Sequence, residues 1–146
     1  MKRGVAALLA LASISCQTPQ WPVEGPLSSP YGMRMEGVVG GLHRGVDIAA
    51  PQGTPVRPVL SGRVRFAGTM SGYGLVIWID HPDDVITVYA HLSEISVEAG
   101  QEVSKETVIG LTGQSGNSRG AHLHLEIWRW GREVDPVAML GRPPGS

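Results

Sequence analysis

Two runs dominate the hydrophobic pattern of the chain. Leu75-Val76-Ile77-Trp78-Ile79-Asp80 and Val85-Ile86-Thr87-Val88-Tyr89-Ala90-His91 are rich in β-branched and aromatic residues, and each has the length of a strand. Between them His81-Pro82-Asp83-Asp84 has the composition of a turn, which makes His81 a solvated turn residue. A third run, Gly120-Ala121-His122-Leu123-His124-Leu125-Glu126-Ile127, alternates polar and apolar positions. Side chains on a strand change face at every residue, so His122 and His124 share one face while Leu123, Leu125 and Ile127 point to the core.

Shorter segments fill the intervals. Residues 26–34 read as an edge segment interrupted by Pro30 and Gly32. Gly37-Val38-Val39-Gly40-Gly41-Leu42 is a flexible loop that delivers His43 and forms a groove wall. Val46 to Ala49 is a short apolar strand, and Val56 to Leu60 an extended one. Ser61-Gly62 should turn that second strand in a tight hairpin into residues 63–67. Turn residues at 98–102 precede a strand at 108–111, and the Gly-rich loop 113–120 feeds the His pair. A glycine loop cradles phosphate at a helix N-terminus, and this one opens a strand, so it shapes the site instead. Asp135-Pro136 begins a short terminal helix, with Asp135 as N-cap.

Composition agrees with this pattern. Twenty Gly and 11 Pro in 146 residues imply many tight turns, hence an all-β domain of short strands with one core. The 12 basic residues are balanced by 13 acidic ones, which leaves no basic face for nucleic acid. One cysteine excludes an internal disulfide. At the amino end Lys2 and Arg3 precede an apolar run from Gly4 to Ile14, the layout of a secretory signal. Ser15-Cys16 at its end resembles the signal of bacterial lipoproteins, in which the cysteine becomes the acylated first residue of the mature chain. On that basis residues 1–15 are a signal peptide, Cys16 is the lipidation site, 17–25 form an extended tether and 26–141 the folded domain. The protein is then exported to the cell envelope and held at a membrane surface without a spanning helix.

Chemistry gathers around histidines. His43-Arg44-Gly45-Val46-Asp47 sets an imidazole and a carboxylate four residues apart across a flexible glycine. With His124 they make two His and one carboxylate, a ligand set for a catalytic metal that keeps a position open. The same set serves the facial triad of non-haem iron oxygenases, although export and the two extra histidines favour zinc. His122, on the same strand face, and His91, at the end of a strong strand, are imidazoles available for proton transfer and transition-state hydrogen bonding.

His43-Arg44-Gly45-Val46-Asp47-Ile48-Ala49, Tyr89-Ala90-His91-Leu92, Ser115-Gly116-Asn117-Ser118 and His122-Leu123-His124-Leu125-Glu126 occur in an order and spacing that resembles the lysostaphin-type, LytM-like M23 peptidoglycan metallopeptidases. The likeness runs from about Ser28 to Met139. It implies a twisted antiparallel, β-sandwich-like fold of the duplicated-hybrid-motif type, with a groove over one Zn2+. It also implies zinc on His43, Asp47 and His124, and catalytic roles for His91 and His122. In the reaction so implied, a peptide bond of the bacterial cell wall is hydrolysed; His122 takes the proton and His91 steadies the oxyanion, or the reverse. Arg34 and Asn117 would bind substrate, Arg34 from the groove lining, with a plain surface role as the alternative for Arg34. The alternative is a non-catalytic module that binds the cell wall or activates another wall hydrolase, as some relatives do, and a regulatory protein stands among the expected partners. Ala121, Arg119 and Leu125 depart from the usual Pro, Thr and Phe, and they bear on groove shape.

Overall fold

A computed structural model describes residues 17–34 and 41–145, with Met33 and Arg34 placed by their backbone alone. Cys16, the apolar leader before it and residues 35–40 of the glycine loop lie outside the described residues. In chain order the elements are β1 (Leu27–Ser29), β2 (Gly32–Arg34), β3 (Gly41–His43), β4 (Val46–Ala49), β5 (Pro55–Val56), β6 (Gly62–Met70) and β7 (Gly74–His81). They continue with β8 (Val85–Ile95), β9 (Glu102–Val103), β10 (Gly110–Thr112), β11 (His122–Arg129), β12 (Arg132–Val134) and α1 (Pro136–Leu140). The all-β expectation holds.

One antiparallel sheet runs β1-β4-β11-β8-β7-β6-β9, with β10 joining β5 to β8, β12 pairing β11, and β2-β3 forming a separate ribbon. The two strong apolar runs are its centre: β7 and β8 pair with Trp78 opposite Val88 and Ile79 opposite Thr87. The turn between them places Asp83 and Asp84 at positive φ, 62° and 57°. Alternation then divides the side chains. Val64, Ile77, Ile79, Tyr89, Leu123 and Leu125 enter the main core with Val46, Ile48, Val56 and Ile109. On the other face a second cluster forms around Val76, Val88 and Ala90, flanked by Phe66, Trp78 and Trp128. Burial of these aliphatic side chains, at about 1.5–3 kcal/mol each, is the main stabilising term.

Three expectations need correction. His81 is not a solvated turn residue: it ends β7, buried, with Nδ1 2.9 Å from the Ser61 carbonyl and Nε2 2.7 Å from Thr87 Oγ1. Thr87 Oγ1 in turn lies 2.7 Å from Tyr89 Oη, which accepts the Val59 N–H at 2.9 Å. A buried imidazole needs partners at both nitrogens, and the sequence between two apolar strands gave no sign that these were available. The hairpin at Ser61-Gly62 is also absent. β5 stops at Val56 and pairs with β10, while β6 begins at Gly62 and pairs with β7 and β9. A Cβ on Gly62 would come within 2.2 Å of the Asp80 carbonyl, so this glycine serves close strand contact and not a turn.

The third correction concerns residues 17–25, which are extended but docked along the body. Pro22 and Val23 are buried and Trp21 packs against the core. The Gln20 N–H donates to Val59 O at 3.0 Å, and its amide reaches the carbonyls of Pro58 and Lys105. At the other end α1 forms as expected, with Asp135 Oδ1 accepting the Val137 N–H at 2.9 Å.

Candidate metal centre

The centre is built where β4 and β11 lie side by side, with His124 opposite Asp47 and His122 opposite Ala49. Gly45 makes this pairing possible. A Cβ there would sit 2.1 Å from the Leu125 carbonyl oxygen, so no larger residue allows β4 to start so close to β11. β3 ends at His43, which returns the first imidazole to the Asp47 side of the sheet.

His43 Nε2, Asp47 Oδ1 and His124 Nδ1 converge: 3.2 Å between the two imidazole nitrogens, 3.3 Å from His43 to Asp47 and 2.9 Å from His124 to Asp47. All three residues are buried, and together they form a group able to hold a metal ion. Four tetrahedral ligands at ~2.0–2.1 Å from zinc stand roughly 3.3 Å from one another, so this spacing fits the ion. The far side of each ring fixes its tautomer. His43 Nδ1 donates to the Pro30 carbonyl at 2.7 Å, and His124 Nε2 donates to Glu126 Oε1 at 3.0 Å. Carbonyl and carboxylate oxygens can only accept, so a proton sits on each of those nitrogens, and the opposite nitrogen of each ring, Nε2 of His43 and Nδ1 of His124, faces Asp47. Lone pairs so gathered require a cation between them, whether a proton or a metal.

Electrostatics follow from this crowding. Burial pushes the Asp47 carboxyl up, but hydrogen bonds from His124 and His43 overcome it and hold the group well below the usual carboxylate range. Burial disfavours charge on His124 as well, yet bonds to Asp47 and Glu126 push its pKa up to about 9. Glu126 is buried too, and it is held below its ordinary value by the donors His124 and Trp128.

The other two histidines stand beside the cluster. His91 lies 5.0 Å from the His122 ring and 5.8 Å from the His124 ring. It adopts a left-handed φ of 61°, pinned by its N–H to Tyr73 O at 2.9 Å and by Nδ1 to Ser115 O at 2.7 Å. The walls that supply those carbonyls are locked together, since a Cβ on Gly74 would meet Gly116 N at 2.5 Å. Burial lowers the pKa of His91, and the neighbouring His122 and His124 lower it further. His122 donates Nδ1–H to Gly120 O at 2.9 Å and turns Nε2 toward Asp47, 3.6 Å away.

All five histidine and aspartate residues expected from the sequence therefore meet. They line a groove of ≈ 760 Å³ whose walls include Ser28, Leu42, Arg44, Asn117 and Arg119. Asn117 lies on the groove wall. Arg34 is placed on β2 opposite Gly41, and its side chain lies outside the described atoms. Two residues were missed. Glu126 shares the face of His124 by the same two-residue period, a signal that was present; Tyr73, which donates to Glu126 Oε1 at 2.9 Å, gave none.

The fold thus presents, on one sheet, a His-Asp-His group able to hold a metal ion, with two further imidazoles beside it. The chain belongs to peptidase family M23, whose model matches residues 41–136. It is 45% identical over 115 residues to the DD-carboxypeptidase/endopeptidase Mpg of Neisseria meningitidis, covering 77% of this chain and 26% of that protein. It is 35% identical over 122 residues to the murein hydrolase activator EnvC of Escherichia coli, covering 84% and 29%. Among solved structures, a zinc-containing peptidase from Vibrio cholerae superimposes with a TM-score of 0.78 at 32% identity, over 88% of this chain and 41% of that one. The chain spans less than a third of the length of these two curated relatives.

Proposed function

We propose that this protein is an exported zinc endopeptidase that hydrolyses peptide bonds of bacterial peptidoglycan, with Cys16 as its lipid anchor. The observation that carries the reading is the convergence of two imidazole nitrogens and one carboxylate oxygen on a single point, with two further histidines alongside. Zinc held by His43, Asp47 and His124 would supply Lewis acidity, polarising a carbonyl oxygen and lowering the pKa of water to ~7.

The remaining work falls to the chain. His91 gives its Nδ1 proton to Ser115 O, and its surroundings favour the neutral ring, so Nε2 is an open acceptor aimed at the groove. That suits a general base. His122 also commits Nδ1–H, to Gly120, and turns its Nε2 to the Asp47 side of the groove, 3.6 Å from Oδ1. With His91 as the base, His122, whose ring lies 5.0 Å away, is the group placed to steady a developing oxyanion or protonate the leaving amine. Of the two assignments open at the level of sequence, this geometry supports the exchanged one. Asn117 and Arg119 on the exposed wall contact the peptide, and Arg119 favours an anionic one.

The relation to EnvC gives a second reading, in which the domain binds the wall or activates another hydrolase without turnover. The complete set of three ligands and two partner histidines supports catalysis over it. Purified sacculi and metal analysis separate the two. Wild type should contain one zinc and release peptide fragments. H91A and H122A should keep zinc and lose cleavage by 10²-fold or more, on the order of a general acid or base. H43A and H124A should lose the metal. A zinc-loaded wild type that leaves sacculi intact refutes the enzyme.

A further inference from the structure

Glu126 is the most fully enclosed charged side chain among the described residues, at 1% exposure, and the reaction outlined above does not use it. Among the described residues no salt bridge pairs it with a lysine or arginine. Its carboxylate instead accepts three hydrogen bonds. Oε1 takes His124 Nε2–H at 3.0 Å and Tyr73 Oη–H at 2.9 Å, while Oε2 takes the Trp128 indole N–H at 2.8 Å. A buried carboxylate is costly unless each oxygen is satisfied. These three donors satisfy it from three directions and leave one rotamer.

We propose that Glu126 is a positioning residue that sets the metal affinity of the centre, with Tyr73 and Trp128 holding it in place. The inference rests on the metal reading above and deepens it. Glu126 fixes the proton of His124 on Nε2, which leaves Nδ1 as the only lone pair facing His43 and Asp47. Without it, His124 is free to place its proton on Nδ1, against Asp47, and in that tautomer it cannot ligate. The carboxylate also makes the imidazole a stronger donor to a cation, as partners of metal-bound histidines do. Tyr73 has a second attachment: its carbonyl holds the His91 backbone. One residue thereby links the ligand half of the centre to the half that moves protons.

The test is zinc affinity, measured by competition with a chromophoric chelator on the intact chain. Glu126→Gln keeps the volume but offers a single acceptor oxygen and adds donors where Tyr73 or Trp128 already donate. It should bind zinc roughly 10–100-fold more weakly than wild type. The His124 Nε2–H resonance of the zinc-loaded protein, slow to exchange in wild type, should broaden in the same variant, a change that lost packing alone would not cause. If E126Q does not fold, E126D keeps the charge and loses one methylene of reach, and the same weakening is expected. Zinc affinity within twofold of wild type in a folded variant overturns the proposal. Failure of the wild type to bind zinc overturns the metal reading itself and carries this proposal with it, so the two failures are distinct.

Discussion

Gly45→Ala adds one methyl group at the seam that brings Asp47 to His124. In the structure that carbon would lie 2.1 Å from Leu125 O and 2.8 Å from its carbonyl carbon, with Glu126 Cγ at 3.0 Å. Real Cβ contacts essentially never fall under 3.0 Å, so the strands must part by 3.0 minus 2.1, or about 0.9 Å. The obstructing atom is backbone, which no rotamer change can move aside. Overpacking of this kind costs about 1–3 kcal/mol, and in a domain of this size about 2 kcal/mol lowers Tm by roughly 5–10 °C. The functional cost is larger in proportion. Asp47 and His43 flank Gly45, so the parting separates both from His124, and a ~1 Å misplacement at a reacting centre lowers the rate on the order of 10²-fold. Thermal melts followed by circular dichroism, zinc titration and sacculus digestion read the three effects on one sample. An alanine variant with wild-type Tm and wild-type zinc affinity would show that β4 and β11 do not need this contact, and the account of how the ligands are assembled would be wrong.

Other perturbations report on separate parts of the molecule. Free zinc at 100 times its Kd should raise stability by about 2.7 kcal/mol, and H43A should abolish the shift in Tm; an equal shift in H43A would place the ion elsewhere. Burial lowers the His81 pKa in the folded state, so between the ordinary value near 6.5 and that lower value the unfolded chain binds a proton that the folded one refuses. Its contribution to stability is complete above about pH 6.5 and falls with acid by at most ~1.4 kcal/mol per unit. H81Q should flatten the Tm profile between pH 7.5 and 5.5, and matching slopes would contradict this. Trp21→Ala, which empties the docked segment of its largest side chain, should cost on the order of 2 kcal/mol without changing zinc affinity.

The sequence was most informative where one period governed several residues at once. Alternation in β11 fixed the shared face of His122 and His124, and long apolar runs located β7 and β8. The five chemical residues were legible because few residue types can do their work. What escaped was set by contacts distant in the chain. His81 looked like a turn residue because Ser61 and Thr87, its two partners, carry no local mark. Gly62 has the composition of a hairpin, yet its glycine answers the nearness of Asp80. Segment 17–25 has the proline content of a linker, and only the carbonyls of Pro58, Val59 and Lys105 turn it into part of the body. Tyr73 joined the site from a loop whose neighbours in sequence say nothing about Glu126.

The docked amino-terminal segment has a consequence for orientation. Gln17 Oε1 accepts the Ser61 N–H, just before β6 begins, whereas the cleft opens past the other end of that strand, at Gly72 and Tyr73. Nine strand residues separate the two ends, roughly 25–30 Å at ~3.3 Å per residue. Gln17 is therefore held at the pole opposite the cleft. A load applied through residue 17 would thus enter the domain at one end of β6 and a peptide in the cleft would pull at the other, so the strand bridges the two along its length.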